Sequence, residues 1–256
     1  MNKLNIAISL YYDNFCILVH DSQHQLTVAI DTPDTDTILR MLREKNWFLT
    51  HIFNTHHHID HTRGNVDLKK IFNCTVFGPS IESNKIPKID HGLSDGDTLN
   101  FGQHQINVFS TPGHTMDHIC YHFIEDYLLF VGDTLFSLGC GKIFEGNFAE
   151  MFESLEKIRS FPDKTHIYFG HEYTENNARF ALSCDPHNLE LQQYCSKVKS
   201  LRTKNLYTNP SMISLEKKVN PFLRTRDPIL RKNLHMEDAS NLAVFTELRI
   251  RKDQFK

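Results

Sequence analysis

Short apolar runs alternate with polar, turn-forming stretches along the first two-thirds of the chain. Phe15–Val19 and Leu26–Ile30 are β-prone runs joined by the polar stretch Asp21–Gln25, a spacing that predicts a hairpin. Ile38, Met41 and Leu42 then recur at helical spacing behind the cap candidates Asp34 and Thr35, predicting a helix over 35–45. Leu49–Asn54 reads as a strand, Asn65–Phe72 as a short helix and Thr75–Phe77 as a further strand, with a turn at Ser94-Asp95-Gly96-Asp97. Strand-like runs follow at 105–110, 119–123 and 127–131. A helix is predicted over Glu150–Arg159, with Met151, Leu155 and Ile158 on one stripe, and a last strand over 165–169. Two runs of strands, each punctuated by helices, fit an α/β fold with four layers, an αβ/βα sandwich.

Beyond Tyr173 strand signals stop and helical periodicity takes over. Leu189–Leu201 is helix-like, bounded by Pro186 before and Asn205–Pro210 after, and Asp238–Lys252 carries Leu242, Phe245 and Leu248 at helical spacing. The expected organisation is a catalytic domain over 1–173 and an all-helical C-terminal domain over 174–256. No internal repeat and no low-complexity tract is present.

The chemistry concentrates directly after the apolar run Leu49–Phe53. Residues 55 to 61 read Thr-His-His-His-Ile-Asp-His, which places four imidazoles and one carboxylate in seven residues. Neutral imidazole and carboxylate are ligands for zinc, iron and manganese. Five such groups exceed what one tetrahedral ion takes from a short segment. His56 and His58 can point one way, Asp60 and His61 another, which suits two adjacent ions. A purification tag would be terminal and unbroken, and this run is internal and interrupted.

The pattern His-x-His-x-Asp-His resembles the metallo-β-lactamase superfamily, which completes its site with a later His, a bridging Asp and a final His. Candidates stand in that order: His114 after Gly113, Asp133 after Gly132 and His171 after Gly170, each following a short apolar or β-prone run. A preceding glycine permits a tight turn or a close backbone approach. The resemblance implies a metallo-β-lactamase sandwich. It puts His56, His58 and His114 on one metal and Asp60, His61 and His171 on the other, with Asp133 bridging. The expected cofactors are two divalent ions, zinc first, with iron and manganese as alternatives. Two such charges lower the pKa of a shared water and polarise a carbonyl, so Asp60 and Asp133 are also the catalytic candidates, Asp60 through orientation of the nucleophile. His57 is expected on the opposite face, and His118 beside the ligand loop or merely polar.

Composition narrows the partners. The 256 residues carry a formal net charge of −3, which gives no basic field for nucleic acid or an anionic membrane. The six cysteines are scattered without a CxxC pair, which fits reduced packing thiols rather than a disulfide scaffold. No signal-peptide core interrupts the N-terminal region, where polar residues from Tyr11 to Asn14 break the apolar stretch, and no run has the length of a membrane span. A soluble, cytoplasmic monomer is the expectation.

Substrate class comes from resemblance rather than from the metal motif. Gly139-Cys140-Gly141-Lys142-Ile143-Phe144-Glu145-Gly146 is similar to a segment of the glyoxalase II (hydroxyacylglutathione hydrolase) family. So are His171-Glu172-Tyr173-Thr174, Asn220-Pro221-Phe222-Leu223-Arg224 and Leu248-Arg249-Ile250-Arg251-Lys252-Asp253-Gln254-Phe255. That resemblance implies a thioester hydrolase that cleaves S-D-lactoylglutathione to glutathione and D-lactate, in methylglyoxal detoxification. It also implies substrate contacts from Lys142, Ile143, Phe144, Glu172, Tyr173, Arg249 and Lys252. Glutathione carries two carboxylates, and Arg249 and Lys252 lie three apart on one predicted helix face. The alternative for them is a solvated basic helix end favoured by the helix dipole. Phe144 departs from family members that carry tyrosine there, which removes a hydroxyl from the implied pocket. The rivals are a β-lactamase or phosphodiesterase, a mononuclear persulfide dioxygenase, and a non-enzymatic metal-binding protein. The basic tail argues against the first pair, and the full ligand set against the others.

Overall fold

The computed structural model describes residues 3–81 and 83–255. The chain separates into two compact units, Met1–Ser110 with Thr115–Gly132, and Thr111–His114 with Asp133–Lys256.

The first unit is built on two sheets. Six strands lie in sequence order: β1 (Asn5–Tyr11), β2 (Asn14–Asp21), β3 (Leu26–Ile30), β4 (His51–Phe53), β5 (Thr75–Pro79) and β6 (His91–Leu93). The β1–β2 and β2–β3 pairs are antiparallel, and β3 to β6 pair in parallel through crossovers. The predicted hairpin over 15–30 is therefore present, extended by a strand on its N-terminal side. The polar residues of β1 hid it, because only the ladder with β2 shows that Asn5–Tyr11 is extended. One face packs Cys16, Leu18, Ala29, Ile52 and Val76 against Ile38, Met41 and Leu42 of α1 (Thr35–Lys45) and Leu68 of α3 (Asn65–Phe72). The α1 ends follow from local chemistry: the Asp34 carboxylate accepts from the Thr37 N–H, and Asn46 closes the helix in the left-handed region.

The other face meets an antiparallel meander of β7 (Thr98–Phe101), β8 (His104–Ser110), β9 (Ile119–Phe123) and β10 (Leu128–Gly132). Aromatic rings fill that interface: Phe53 stacks on Tyr121 at 5.0 Å and meets Phe77 edge-on at 5.4 Å. Helices on one side and a second sheet on the other explain why β2 is buried on both faces and reads as a continuous apolar run.

In the second unit, β11 (Leu135–Phe136) and β12 (Gly139–Cys140) form a short ladder, and β13 (His166–Phe169) pairs with β14 (Ser211–Met212). The two-residue β14 is the departure from an all-helical tail; it exists because a neighbouring strand supplies its partner. The helices are α4 (Phe148–Arg159), α5 (Thr174–Cys184), α6 (Leu189–Thr203), α7 (Ile213–Val219), α8 (Pro228–Leu234) and α9 (Asn241–Gln254). A capping box between Asn147 and Glu150 starts α4 before the predicted Glu150, and the Ser240 cap starts α9 after the predicted Asp238. Polar Asn176 and Asn177 masked α5, whose buried stripe is Ala178, Phe180, Ala181 and Cys184. No described helix is long and apolar enough to cross a membrane.

A buried carboxylate organises this unit. Glu216 of α7 accepts from Ser137 Oγ (2.8 Å), the Leu138 N–H (2.8 Å), Ser211 Oγ (2.5 Å) and Asn220 Nδ2 (3.0 Å). Burial pushes its carboxyl above the usual range, and these donors oppose that push. Glu216→Ala takes the carboxylate from the Leu138 N–H and the Ser137 and Ser211 hydroxyls in a dry site, while Asn220 keeps the Phe136 and Gly139 carbonyls. The expected loss is about 3 kcal/mol of unfolding free energy in urea titration, with Glu216→Gln losing less; a loss below about 1 kcal/mol in the alanine variant would show that the network does not hold the unit together.

Candidate metal centre

The histidine-rich run leaves the sheet at the end of β4. Residues 55–58 are loop, with Thr55 and His56 buried and His57 and His58 half-buried, and Ile59–Thr62 form the single helical turn α2. Extended spacing brings His56 Nε2 to 3.1 Å from His58 Nδ1, two ring nitrogens converging on one point. The helical turn sets Asp60 Oδ2 at 3.8 Å from His61 Nε2, a second point of convergence. The segment thus sorts its donors into the two pairs anticipated from sequence, by a change of backbone conformation rather than by strand alternation alone.

Asp31, at the end of β3, fixes which nitrogens face those points. Its Oδ1 accepts from the Thr55 N–H at 2.8 Å, and its Oδ2 accepts from the Thr55 hydroxyl and from His61 Nδ1, each at 2.8 Å. The Thr55 hydroxyl, having donated to Asp31, accepts from His56 Nδ1 at 3.0 Å. Both imidazoles therefore carry hydrogen on Nδ1 and present the lone pair of Nε2, the tautomer a cation needs. The rest of the loop is tied as tightly: Asn54 Nδ2 donates to the His61 carbonyl, and Tyr121 donates to the Asn54 carbonyl at 2.7 Å. Burial, with the charge of Asp31, holds the Tyr121 phenol well above its ordinary pKa, so it stays a donor.

The second unit gathers the other three candidates. The Lys142 carbonyl accepts from His114 Nδ1 at 2.8 Å, which leaves His114 Nε2 to face Asp133 Oδ2 at 3.5 Å. His171 Nε2 lies 3.2 Å from the same oxygen. One carboxylate oxygen flanked by two imidazole nitrogens is the arrangement expected of a bridging ligand. Glycine is required before two of the ligand candidates: at Gly113 (φ 143°) a Cβ would fall 2.7 Å from Met151 Cβ, and at Gly132 (φ 46°) 2.6 Å from His118 Nε2.

The candidates for substrate contact divide by environment. A cavity of about 200 Å³ is lined by Phe136, Cys140, Lys142, Tyr173, Arg249 and Lys252, with Asn176 and Asn177. Arg249 is buried: its Nη1 donates to the Cys140 carbonyl at 2.9 Å and its Nη2 to Asp253, while Nε has no partner among the described residues. Burial, then the charges of Arg249 and Arg179, pulls Lys252 down to about 8. Tyr173 stacks on the His171 ring at 4.7 Å. Phe144 is exposed, meets the His114 ring at 5.3 Å and lies under the Lys142 ammonium. Ile143 is half-buried beside it. Glu172 turns elsewhere, its carboxylate accepting from the Thr208 N–H and hydroxyl and pairing with Arg202.

His57 donates to Asp117 at 3.0 Å, and His118 stacks on His56 at 5.0 Å. Sequence reasoning missed Asp31 and Thr55: Asp31 reaches Thr55 across 24 residues and the ligand candidate His61 across 30. The only advance signal was an Asp at a strand end. The six cysteines are free thiols; burial pushes Cys140, nearest the cavity, up to about 11, so no thiolate nucleophile stands there. Imidazole nitrogens with fixed tautomers and converging carboxylates fit a divalent cation.

The family model for the metallo-beta-lactamase superfamily matches residues 28–171, and that for the hydroxyacylglutathione hydrolase C-terminus matches 172–255. Curated relatives named hydroxyacylglutathione hydrolase include one from Rhizobium johnstonii, 50% identical over 95% of both chains. Another, from Bartonella tribocorum, is 50% identical over 95% of this chain and 96% of its own. Among solved structures, ETHE1 from Myxococcus xanthus superposes with a TM-score of 0.64 at 22% identity, covering 100% of each chain, which shows the shared fold. With donor sets of this kind on a metallo-β-lactamase fold, followed by the matching C-terminal region, the chain belongs to the hydroxyacylglutathione hydrolase family, a branch of divalent-metal hydrolases in the metallo-β-lactamase superfamily.

Proposed function

We propose that the chain hydrolyses S-(2-hydroxyacyl)glutathione thioesters, chiefly S-D-lactoylglutathione, to glutathione and D-lactate, a detoxification step for methylglyoxal. The observation that carries this reading is identity of 50% over 95% of the chain to relatives named for that activity. The cationic cavity adds chemistry to it. Arg249, Lys252 and Lys142 line one recess of about 200 Å³, sized for a carboxylate group rather than a whole ligand, and the unpartnered Arg249 Nε offers a buried donor to it. Gripping the peptide end there spends remote binding energy on placing the thioester.

We assign His56, His58 and His114 to one cation, Asp60, His61 and His171 to the second, and Asp133 to both. The pairings inside each unit support this, as does one family model running from 28 to 171 across all seven positions. Divalent cations held there supply acidified water and a Lewis acid for the carbonyl, zinc being the natural fit to these donors and iron or manganese the alternatives. The protein's own part is orientation. Asp31 sets the His61 tautomer directly and that of His56 through Thr55, the Lys142 carbonyl sets that of His114, and Tyr173 braces the His171 ring. A thiolate leaves without a strong general acid, since a thiol's own pKa is about 8.5. The domain boundary near residue 173 rests on the two family matches, which meet at 171 and 172. A monomer in a reducing cytoplasm completes the proposal, in keeping with six free thiols.

Turnover is followed directly by loss of thioester absorbance in the ultraviolet. His58→Ala and Asp133→Ala are expected to lower kcat on the order of 10³-fold, and chelation to abolish turnover until metal is restored; wild-type protein inert towards S-D-lactoylglutathione defeats the assignment. Lys252 gives the pH test. It is protonated below about 8 and neutral above, so kcat/KM for the anionic substrate falls as pH rises through that value, while kcat, read on the carboxylate-bound complex, falls later. Lys252→Ala removes that limb and raises KM, Lys252→Arg moves it to higher pH, and a wild-type profile unchanged by either substitution removes Lys252 from the pocket.

A further inference from the structure

The β1–β2 hairpin closes with Tyr11 paired to Asn14, across a turn in which Tyr12 adopts a left-handed backbone (φ 55°). Register in this ladder decides where Asn14 points, and it points at the metal loop. Asn14 is 7% exposed, and its Nδ2 donates twice to one residue, to Asp60 Oδ2 at 3.1 Å and to the Asp60 carbonyl at 3.3 Å. The Asn14 amide thus contacts Asp60 twice, once at its backbone and once at its side chain. Asp60 needs such a clamp. Its side chain is 39% exposed, and the terminal torsion of an aspartate is broad and two-fold, so an unbraced carboxylate rotates. The amide is a neutral donor: it leaves the full negative charge on Asp60 and takes only one of the lone-pair directions of Oδ2, the oxygen 3.8 Å from His61 Nε2.

We propose that Asn14 is a positioning residue for the cation held by Asp60 and His61, setting the orientation of that carboxylate and so the affinity for this ion. The assignment rests on the two-cation reading above. It concerns retention of one ion, so it has a readout independent of turnover. Partners of metal ligands carry roughly 10- to 100-fold in affinity.

The test uses zinc-loaded, full-length wild-type and Asn14→Ala protein, dialysed against graded concentrations of a chelator, with metal per chain counted by elemental analysis. The variant is expected to give up one ion at a chelator concentration roughly 10- to 100-fold below that needed by wild type, and the other at the wild-type concentration. Its kcat falls while KM stays within about two-fold of wild type, as for a group acting on the reacting centre rather than on substrate affinity. Retention of both ions as in wild type overturns the proposal. So does parallel loss of both, which marks a purely structural role. If Asn14→Ala fails to fold, Asn14→Ser keeps a single short donor and is read in the same way: selective weakening of one ion supports the proposal and wild-type retention overturns it. A wild-type chain that holds one ion refutes the two-cation reading by itself, and the Asn14 clamp is then judged on whether the variant weakens that ion.

Discussion

The metal loop depends on one buried carboxylate. Asp31 joins the end of β3 to Thr55 and His61, and through Thr55 to His56, so a single charge orients a member of each donor pair. A carboxylate can do this because it only accepts hydrogen bonds when ionised; it forces hydrogen onto each Nδ1 and leaves each Nε2 bare. Buried charge without partners is costly, and Asp31 has three donors. The parallel pairing of β3 with β4 places it there, since the same register that stacks Ile30 beside Phe53 sets Asp31 against the first residues of the loop.

That dependence explains what was legible in the chain. The seven ligand candidates were readable because donor chemistry is written in residue type and four of the candidates fall in one short run. Helices α1, α4 and α6 were readable because their apolar stripes lie between recognisable caps. Asp31 and Asn14 were not. Each acts on a residue 30 or more positions away, and each is an ordinary polar residue at a strand end until strand register is known. Asn14 had counted only as an interruption of an apolar stretch. The short strands β6, β7 and β14 were hidden for a related reason: they are strands by virtue of their partners, not of their composition.

Arg249 shows how one side chain can have a task that its place in the sequence did not announce. Its place in the sequence marked it as a cation for a substrate carboxylate. The structure buries it against the Cys140 and Gly141 carbonyls and pairs it with Asp253, so the same guanidinium shapes the segment that delivers the Lys142 carbonyl to His114. The Arg249 contacts and the orientation of His114 thereby fall on one stretch of backbone, 140–142. Lys252 is partly desolvated and crowded by two arginines, which is what lowers its pKa.

The central proposal is that seven side chains, of which Asp31 orients His56 and His61, hold a pair of cations. Anomalous diffraction from crystals of zinc-loaded protein, collected at the zinc edge, tests it most directly. Two peaks about 3.5 Å apart are expected, one beside His56, His58 and His114 and the other beside Asp60, His61 and His171, with Asp133 touching both. A single peak, or peaks bound by other residues, would contradict it.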